Sequence, residues 1–530
     1  MNKIHVLDCT LRDGGYVNDW LFGQANIQKI INNLTQAGID TIECGFLTQK
    51  AGPHNPDTSL FDEVHRVREF LPDDHGQSNY VCMINFGEYQ IEDIPVNDGS
   101  SIDGIRVAFH KKDREEALNF CAELIHKGYQ TYFQPMVAVS YTDEEYIDLI
   151  RKANQLNPKA FYIVDSFGVM KKNDLMRLYY LVDHNLDHHI HIGYHAHNNI
   201  QLAYSNAQAL IELKTNRELI IDSSVFGMGR GAGNLNTELL IEFLNEIHGT
   251  SYQVKPLLQI IDQTLSHVYQ TKTWGYSLPY YISAKHNCHP NYATYLDDKR
   301  SLTIEEIGEI MGRIEPDKRN NFDRAHIETL YRDFQSRENG KSNDEVGLAA
   351  KLKGKHVILI APGRSIKEEE DKVIQAQANP DSISISINFD ATPFKPDFVF
   401  VSNVRRYEEL GQIKPERLIV TSNIHSFDQG EYKLAYARLL NSTDPVQDNS
   451  ILLILKFLTT VGVKDVAIAG LDGYSTNMDQ NYVSPLMTFV FDKTAIMKKN
   501  TGIESVLQDL ARLISIRSVT TPKHIQFPPS

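Results

Sequence analysis

The sequence predicts an α/β protein of two modules, a (β/α)8 TIM barrel with a helical extension followed by a Rossmann-like α/β domain. Three observations predict it. Over about the first 250 residues, eight short apolar runs alternate with longer segments of helical periodicity, the count and size of a closed eight-stranded barrel. Beyond that point the strand-like runs stop. They resume near Lys355, in a chain whose 530 residues allow two to four domains. A doubly wound open sheet is the competing arrangement for the first half.

The eight runs cover 4–8, 41–46, 80–85, 104–109, 131–137, 161–165, 190–195 and 220–225. They are rich in Val, Ile, Tyr and Phe, as buried strands are. Between them, Ile27, Ile30, Ile31 and Leu34 form an i, i+3, i+4, i+7 helical stripe. Further helices are predicted over 57–71, 114–126, 143–154, 172–185, 200–213 and 236–247, with Asp57 and Asp143 placed as N-caps. Residues 251–345 carry helical stripes such as Leu257, Leu258, Ile261 and Leu265, an aromatic and His-rich stretch from Trp274 to Tyr292, and a polar piece, 336–345, that reads as a linker. A new α/β rhythm starts with the run 356–361 and continues through 383–388, 398–401, 418–421 and 466–469, with a long helix near 450–460. The predicted domains are therefore 1–250, 251–345 and 352–530.

Composition narrows the function. Hydrophobic residues make up 42% and charged residues 23%, ordinary globular usage that excludes a disordered or fibrous chain. No apolar run approaches the roughly 20 residues of a membrane span. The opening Met1–Asp8 turns acidic before an apolar segment develops, so no signal peptide is expected. Five scattered cysteines without a CxxC pair are the usage of a reducing compartment, and a cytoplasmic location is expected. A net charge of -15 disfavours nucleic acid and anionic membrane as partners. A small anionic substrate remains open, because a few local cations decide that.

Two motifs carry chemistry. Asp8-Cys9-Thr10-Leu11-Arg12-Asp13-Gly14-Gly15 follows the first strand, and Gly193-Tyr194-His195-Ala196-His197-Asn198-Asn199 ends the seventh. Residues two apart in a strand share a face, so His195 and His197 point the same way. Two imidazoles and a carboxylate from another strand end make a divalent-metal site with open positions. An HxH alone is equally a surface or core pair. It gains weight because a barrel gathers its functional residues at strand C-terminal ends.

On these residues the sequence resembles the DRE-TIM metallolyase superfamily, the metal-dependent aldolases, lyases and condensing enzymes. A third motif agrees, Gly227-Met228-Gly229-Arg230-Gly231-Ala232-Gly233-Asn234 after strand eight. The resemblance implies a metal held by Asp13, His195 and His197, with Asn234 a further ligand, and Arg12 steadying an enolate oxygen. Mn²⁺ is the first choice, with Mg²⁺ or Zn²⁺ as alternatives. The chemistry suits those types: a cation at the enolate oxygen lowers the barrier to C–C cleavage beside a ketone, and a guanidinium adds charge that does not titrate.

Within the superfamily, Val164 stands where transcarboxylases carry a lysine, and the glycine loop lacks the cysteine of the thioester lyases. That loop resembles the one in 4-hydroxy-2-oxovalerate aldolase, which implies a small 2-oxo acid and an aldehyde as partners, and a homo-oligomer is expected. Val164-Asp165-Ser166-Phe167-Gly168 implies Ser166 as a contact for the substrate carboxylate, although a turn serine reads equally well. Glu43 closes strand two where relatives carry an acid near the metal. Tyr292 would be the tyrosine contributed by the helical extension, with packing as its other reading. One departure is serious: the aldolase's base histidine is replaced by Tyr16. Tyr16 as proton relay, His110 at the end of strand four as base, or a different reaction in the superfamily are the three accounts. Arg106, Asn85 and Gln134 are further strand-end polar residues, and for these, as for Glu43 and His110, core polar pairing or an outward position reads as well as a catalytic role.

In the second module, Ala361-Pro362-Gly363-Arg364-Ser365 leaves a strand and opens a helix, where backbone N–H groups could hold a phosphate. Gly470-Leu471-Asp472-Gly473-Tyr474 could line the same crevice. This half faintly resembles Rossmann-like domains of sugar-nucleotide glycosyltransferases, and a purely structural domain is the other reading. The leading reading of the chain is a metal-dependent aldolase or lyase acting through a pyruvate-type enolate. The alternatives are an acyl-CoA lyase or Claisen-type synthase, and an enzyme of polysaccharide synthesis acting on a nucleotide sugar through the C-terminal domain.

Overall fold

The computed structural model describes residues 3–52, 54–299, 301–335, 343–410, 413–424, 432–477, 480–483 and 493–528. The expected linker over 336–345 lies largely outside the described residues. The chain divides into two compact units, Met1–Thr294 with Glu315–Phe322, and Tyr295–Ile314 with Asp323–Ser530.

The first unit is an eight-stranded parallel barrel. Its strands are β1 (Ile4–Asp8), β2 (Thr41–Leu47), β3 (Asn79–Asn85), β4 (Gly104–Phe109), β5 (Gln130–Pro135), β6 (Ala160–Asp165), β7 (His191–Ala196) and β8 (Leu219–Ser223). Each pairs with the next, and β1 pairs with both β8 and β2, which closes the ring and excludes the open sheet. Alternate residues face in and out. Val6, Ile42, Cys82 and Ile163 pack outward under the helices, while Leu7, Cys9, Tyr132, Tyr162 and Ile220 fill the interior. All five cysteines are buried and free, packing as small apolar residues.

The helices follow the apolar stripes: α1 (Gln24–Ala37), α2 (Arg114–His126), α3 (Asp143–Leu156), α4 (Lys172–Asn185), α5 (Ala203–Ile211) and α6 (Thr237–His248). Two expectations are corrected. The cap of α3 is Thr142, in a capping box with Glu145, and Asp143 sits inside the first turn. Residues 57–71 form no α-helix. They contain a short strand, Leu60–Phe61, beside β2, and a 3₁₀ helix, Val64–Phe70. Val64, Val67 and Phe70 are buried at a spacing of three, the period of a 3₁₀ turn rather than of an α-helix. Asp57 instead caps α1, accepting from the Gln24 N–H at 3.0 Å.

The second unit holds a parallel sheet of seven strands: β9 (His356–Ile360), β10 (Ser382–Ile387), β11 (Phe398–Val401), β12 (Leu418–Thr421), β13 (Tyr432–Leu434), β14 (Asp465–Ala469) and β15 (Ile516–Ser518). Their order is β13-β12-β11-β10-β9-β14-β15, a Rossmann-like arrangement that reverses between β9 and β14. The phosphate cradle expected at Ala361–Ser365 is taken by the chain itself. Asp472 accepts from the Ser365 N–H at 2.8 Å and also from the Ser365 hydroxyl. Among the described residues no helix is long and apolar enough to cross a membrane.

Candidate active site

The turn after β1 sets the site. The N–H groups of Arg12 and Asp13 both donate to the Cys9 carbonyl, at 3.1 and 2.8 Å, so the chain folds back over the barrel mouth. Gly14 follows because a Cβ there would lie 2.2 Å from the Thr10 carbonyl oxygen. Arg12 and Asp13 end up buried, Asp13 completely.

Charges alternate in a closed ring across the interior. Arg12 donates to Asp13 at 2.8 Å and to Glu43 at 2.7 Å. Glu43 pairs with Arg106 at 2.9 Å, and Arg106 pairs with Asp222. Asp222 accepts from His195 Nδ1 at 2.9 Å, and His195 Nε2 returns to Asp13 at 3.3 Å. Gln134 lies beside Arg106, and with its amide turned over its oxygen would accept from the guanidinium at 2.9 Å. Glu43, Arg106 and Asp222 are essentially without solvent contact, which is tolerable only because each charge has partners of opposite sign.

His197 Nε2 lies 3.6 Å from the same Asp13 oxygen, its ring perpendicular to that of His195. Burial alone would raise the Asp13 carboxyl, but Arg12 and the two imidazoles hold it well below the usual carboxylate range. Burial drives His197 down to about 3, so it is neutral. His195 is raised, because hydrogen bonds to Asp13 and Asp222 outweigh its burial.

The donor set fits a divalent cation. Asp13 is ionised and His197 neutral, as ligation requires, while His195, whose hydrogen bonds favour its protonated form, would give up that proton to a metal. Asn234 Oδ1 and His197 Nδ1 are buried without a hydrogen-bond partner among the described residues. Gly229 lies between Asn234 and Asp13: a Cβ there would be 2.2 Å from Asn234 Nδ2 and 3.3 Å from Asp13 Oδ1. Cys9 is also close to Asp13 and His195, but burial holds its thiol well above the usual range and it donates to the Ser223 carbonyl at 3.2 Å. A second cluster, His5, His191 and Glu218, lies at the opposite, N-terminal ends of the strands, the face of a barrel that serves stability.

Around the mouth, Tyr16 is 37% exposed, with the Arg230 guanidinium 5.4 Å from its ring centre. Desolvation raises its phenol above the ordinary value despite Arg230 and Arg12, so Tyr16 keeps its proton. Ser166 Oγ accepts from the Val137 N–H at 2.9 Å, and the Ser166 carbonyl accepts from Arg230 at 3.1 Å. His110 stands just past β4, its pKa lowered by burial. Tyr292 is not at the mouth. It is fully buried, and its hydroxyl meets the carbonyl oxygens of Lys318 and Asn321 at 2.9 and 2.7 Å, so it packs the extension.

The same extension brings another histidine instead. His289 packs against Phe167 and feels the charges of Arg230 and His110, and burial lowers it to about 3. Sequence reasoning missed His289, Asp222 and the placement of Arg230. Asp222 had a readable signal, a carboxylate inside an apolar strand run, which must find a cation.

Residues 100–264 match the HMGL-like family. A 4-hydroxy-2-oxovalerate aldolase of Geobacillus genomosp. 3 is 26% identical over 245 residues, 46% of this chain and 71% of that one. An oxaloacetate decarboxylase of Mycobacterium tuberculosis is 23% identical over 241 residues, 45% of this chain and 69% of that one. The solved HMG-CoA lyase of Brucella melitensis is 18% identical, covers 49% of this chain and 96% of that one, and superposes with a TM-score of 0.41. Over the barrel the chain is thus similar to carbon–carbon lyases of the HMGL-like family. Within it the similarity runs to enzymes named 4-hydroxy-2-oxovalerate aldolase, and the family match ends before the C-terminal unit.

Proposed function

We propose that the barrel cleaves a small 4-hydroxy-2-oxo acid into pyruvate and an aldehyde, or runs the reverse addition, with Mn²⁺ preferred over Mg²⁺ or Zn²⁺. The observation that carries this reading is the convergence of Asp13, His195 and His197 beside a buried Arg12. A divalent cation held by Asp13, His195 and His197, with Asn234 beside them, supplies Lewis-acid stabilisation for charge developing on the 2-oxo oxygen.

The chain's own groups do the rest. Arg12 is fixed by Glu43 and Asp13, and its Nη2 makes no hydrogen bond among the described residues, which leaves a buried donor for the developing oxyanion. Glu43 positions both Arg12 and Arg106. Arg230 and the Ser166 hydroxyl proton face the substrate carboxylate. His110, kept neutral by burial, accepts the proton of the 4-hydroxyl group as the C3–C4 bond breaks and the aldehyde leaves, and Tyr16 donates its proton to C3 of the enolate to give pyruvate.

A second reading is favoured by Tyr16. Decarboxylation of a 2-oxo diacid releases CO₂ and leaves the same enolate, with no hydroxyl proton to remove. A phenol that keeps its proton suits that reaction, and one relative is named for it.

The test is to strip metals from the purified chain, restore Mn²⁺, Mg²⁺ or Zn²⁺ singly, and follow pyruvate release from 4-hydroxy-2-oxo acids and from oxaloacetate. Asp13→Ala and His195→Ala should lose metal and turnover together. Full metal content and full turnover in both variants would defeat the assignment. Coenzyme A release from acetyl-CoA and a 2-oxo acid would favour the Claisen alternative.

A further inference from the structure

The C-terminal sheet reverses between β9 and β14, and in an open parallel sheet such a reversal opens a crevice beyond the strand ends. The crevice is present, and two glycine turns form its floor. A Cβ on Gly363 would lie 2.1 Å from the Gly470 carbonyl oxygen, so the turns after β9 and β14 touch only because residue 363 has no side chain. The helix Ser450–Val461, capped by Asn449, forms one wall.

The polar groups of the crevice are of both signs. Lys299, Lys499 and Arg406 line it, and so does Asp448. Lys299 is held in place by Glu328 and Gln447, each at 2.8 Å. Arg406 is 8% exposed and paired with Glu409 at 2.8 Å. Asp448 differs, since its Oδ2 is buried and accepts no hydrogen bond among the described residues. Burial raises its carboxyl above the usual range although Lys299 and Lys499 pull the other way. A buried acceptor left unmatched is costly, which is the signature of a site built for a ligand's donors.

The ligand that matches carries hydroxyl groups for Asp448 and negative charge for the three cations. A metal ion matches less well. Asp472, another buried acid of the crevice, is committed to Ser365, and no cluster of three metal-ligating groups forms there among the described residues. Tyr474 and Tyr482 meet edge to face at 6.4 Å on the same crevice, an aromatic wall suited to a flat base.

We propose that this crevice binds a nucleotide, with its phosphate on Lys299, Lys499 and Arg406, its ribose hydroxyls donating to Asp448 and its base against Tyr474 and Tyr482. The site lies wholly within the second unit, and the proposal is independent of the barrel's reaction.

The experiment is calorimetric titration of the full chain with CMP, UMP, AMP and GMP, each up to about 1 mM, beside ribose 5-phosphate and inorganic phosphate. At least one nucleotide should bind about tenfold or more tightly than either control. Asp448→Asn and Lys499→Ala should each weaken that nucleotide by about tenfold, while Asp13→Asn should leave it unchanged. Circular dichroism checks that each variant folds. If Asp448→Asn does not, Lys499→Ala and ³¹P line broadening of the nucleotide on the wild-type chain decide the matter. The proposal is overturned if no nucleotide binds, if ribose 5-phosphate or phosphate binds as tightly as the best nucleotide, or if folded variants keep wild-type affinity.

Discussion

Replacing Asp222 by asparagine tests the charge ring at the point where it meets the metal ligands. Asp222 accepts from His195 Nδ1 at 2.9 Å and pairs with Arg106. The substitution keeps the shape and removes one charge. The ring holds three carboxylates (Asp13, Glu43, Asp222), two guanidiniums (Arg12, Arg106) and the His195 imidazole, and the substitution takes one negative charge out of it. Arg106 keeps Glu43 at 2.9 Å, so the destabilisation belongs at the lower end of the range for a broken buried pair, about 3 kcal/mol. His195 also loses the acceptor that fixes its Nδ1–H and turns Nε2 towards Asp13. Loss of such an outer partner costs roughly 10- to 100-fold in metal affinity, or about 1.4–2.8 kcal/mol. Urea unfolding of the chelator-treated protein reads the first quantity, and Mn²⁺ titration by electron paramagnetic resonance reads the second. A variant within about 0.5 kcal/mol of wild-type stability and about twofold of its Mn²⁺ affinity would refute both the ring and its role at His195.

Three further expectations follow from the same geometry. Arg230→Gln should raise KM for the 2-oxo acid about 10-fold or more with a much smaller change in kcat, because its main-chain N–H to Asp13 is kept; an unchanged KM would remove Arg230 from the substrate carboxylate. Gly168→Ala should cost about 1–3 kcal/mol and weaken Mn²⁺ binding, since φ is +57° and a Cβ would lie 2.7 Å from the His197 carbonyl oxygen, as thermal unfolding with and without Mn²⁺ would show. His191, lowered from 6.5 to about 4 chiefly by burial, stays neutral in the folded chain between those values while the unfolded chain takes up a proton. Stability therefore falls as pH drops through 6.5 towards 4, by up to about 3 kcal/mol, and His191→Asn should flatten that part of a urea-midpoint profile.

The barrel was legible because a strand buried on both faces must be apolar along its whole length, and every strand run read from the sequence overlaps a strand of the structure. Residues 57–71 misled because Val64, Val67 and Phe70 at a spacing of three satisfy a loose helical pattern while the chain takes the tighter 3₁₀ form. The edge strands β13 and β15, three residues each, are too short to show any periodicity. At the site, Arg12, Asp13, His195 and His197 stood in local motifs. Arg106 and Asp222 are 116 positions apart, and His289 reaches the mouth from the extension, so their partnerships exist only once the barrel closes.

The ring of alternating charges also bears on how such a barrel can change its sequence. Each member touches two others, so any single neutral replacement strands one neighbour on each side, and the costs cannot be independent. A compensating change elsewhere in the circuit would restore fitness only if it removed the opposite charge, so the interior should drift by paired exchanges, an acid and an arginine vanishing together. The mouth residues Arg230, His110 and Tyr16 stand outside that circuit and can vary one at a time. Substrate range can then be retuned at the rim of the barrel without reopening the electrostatic accounting of its interior.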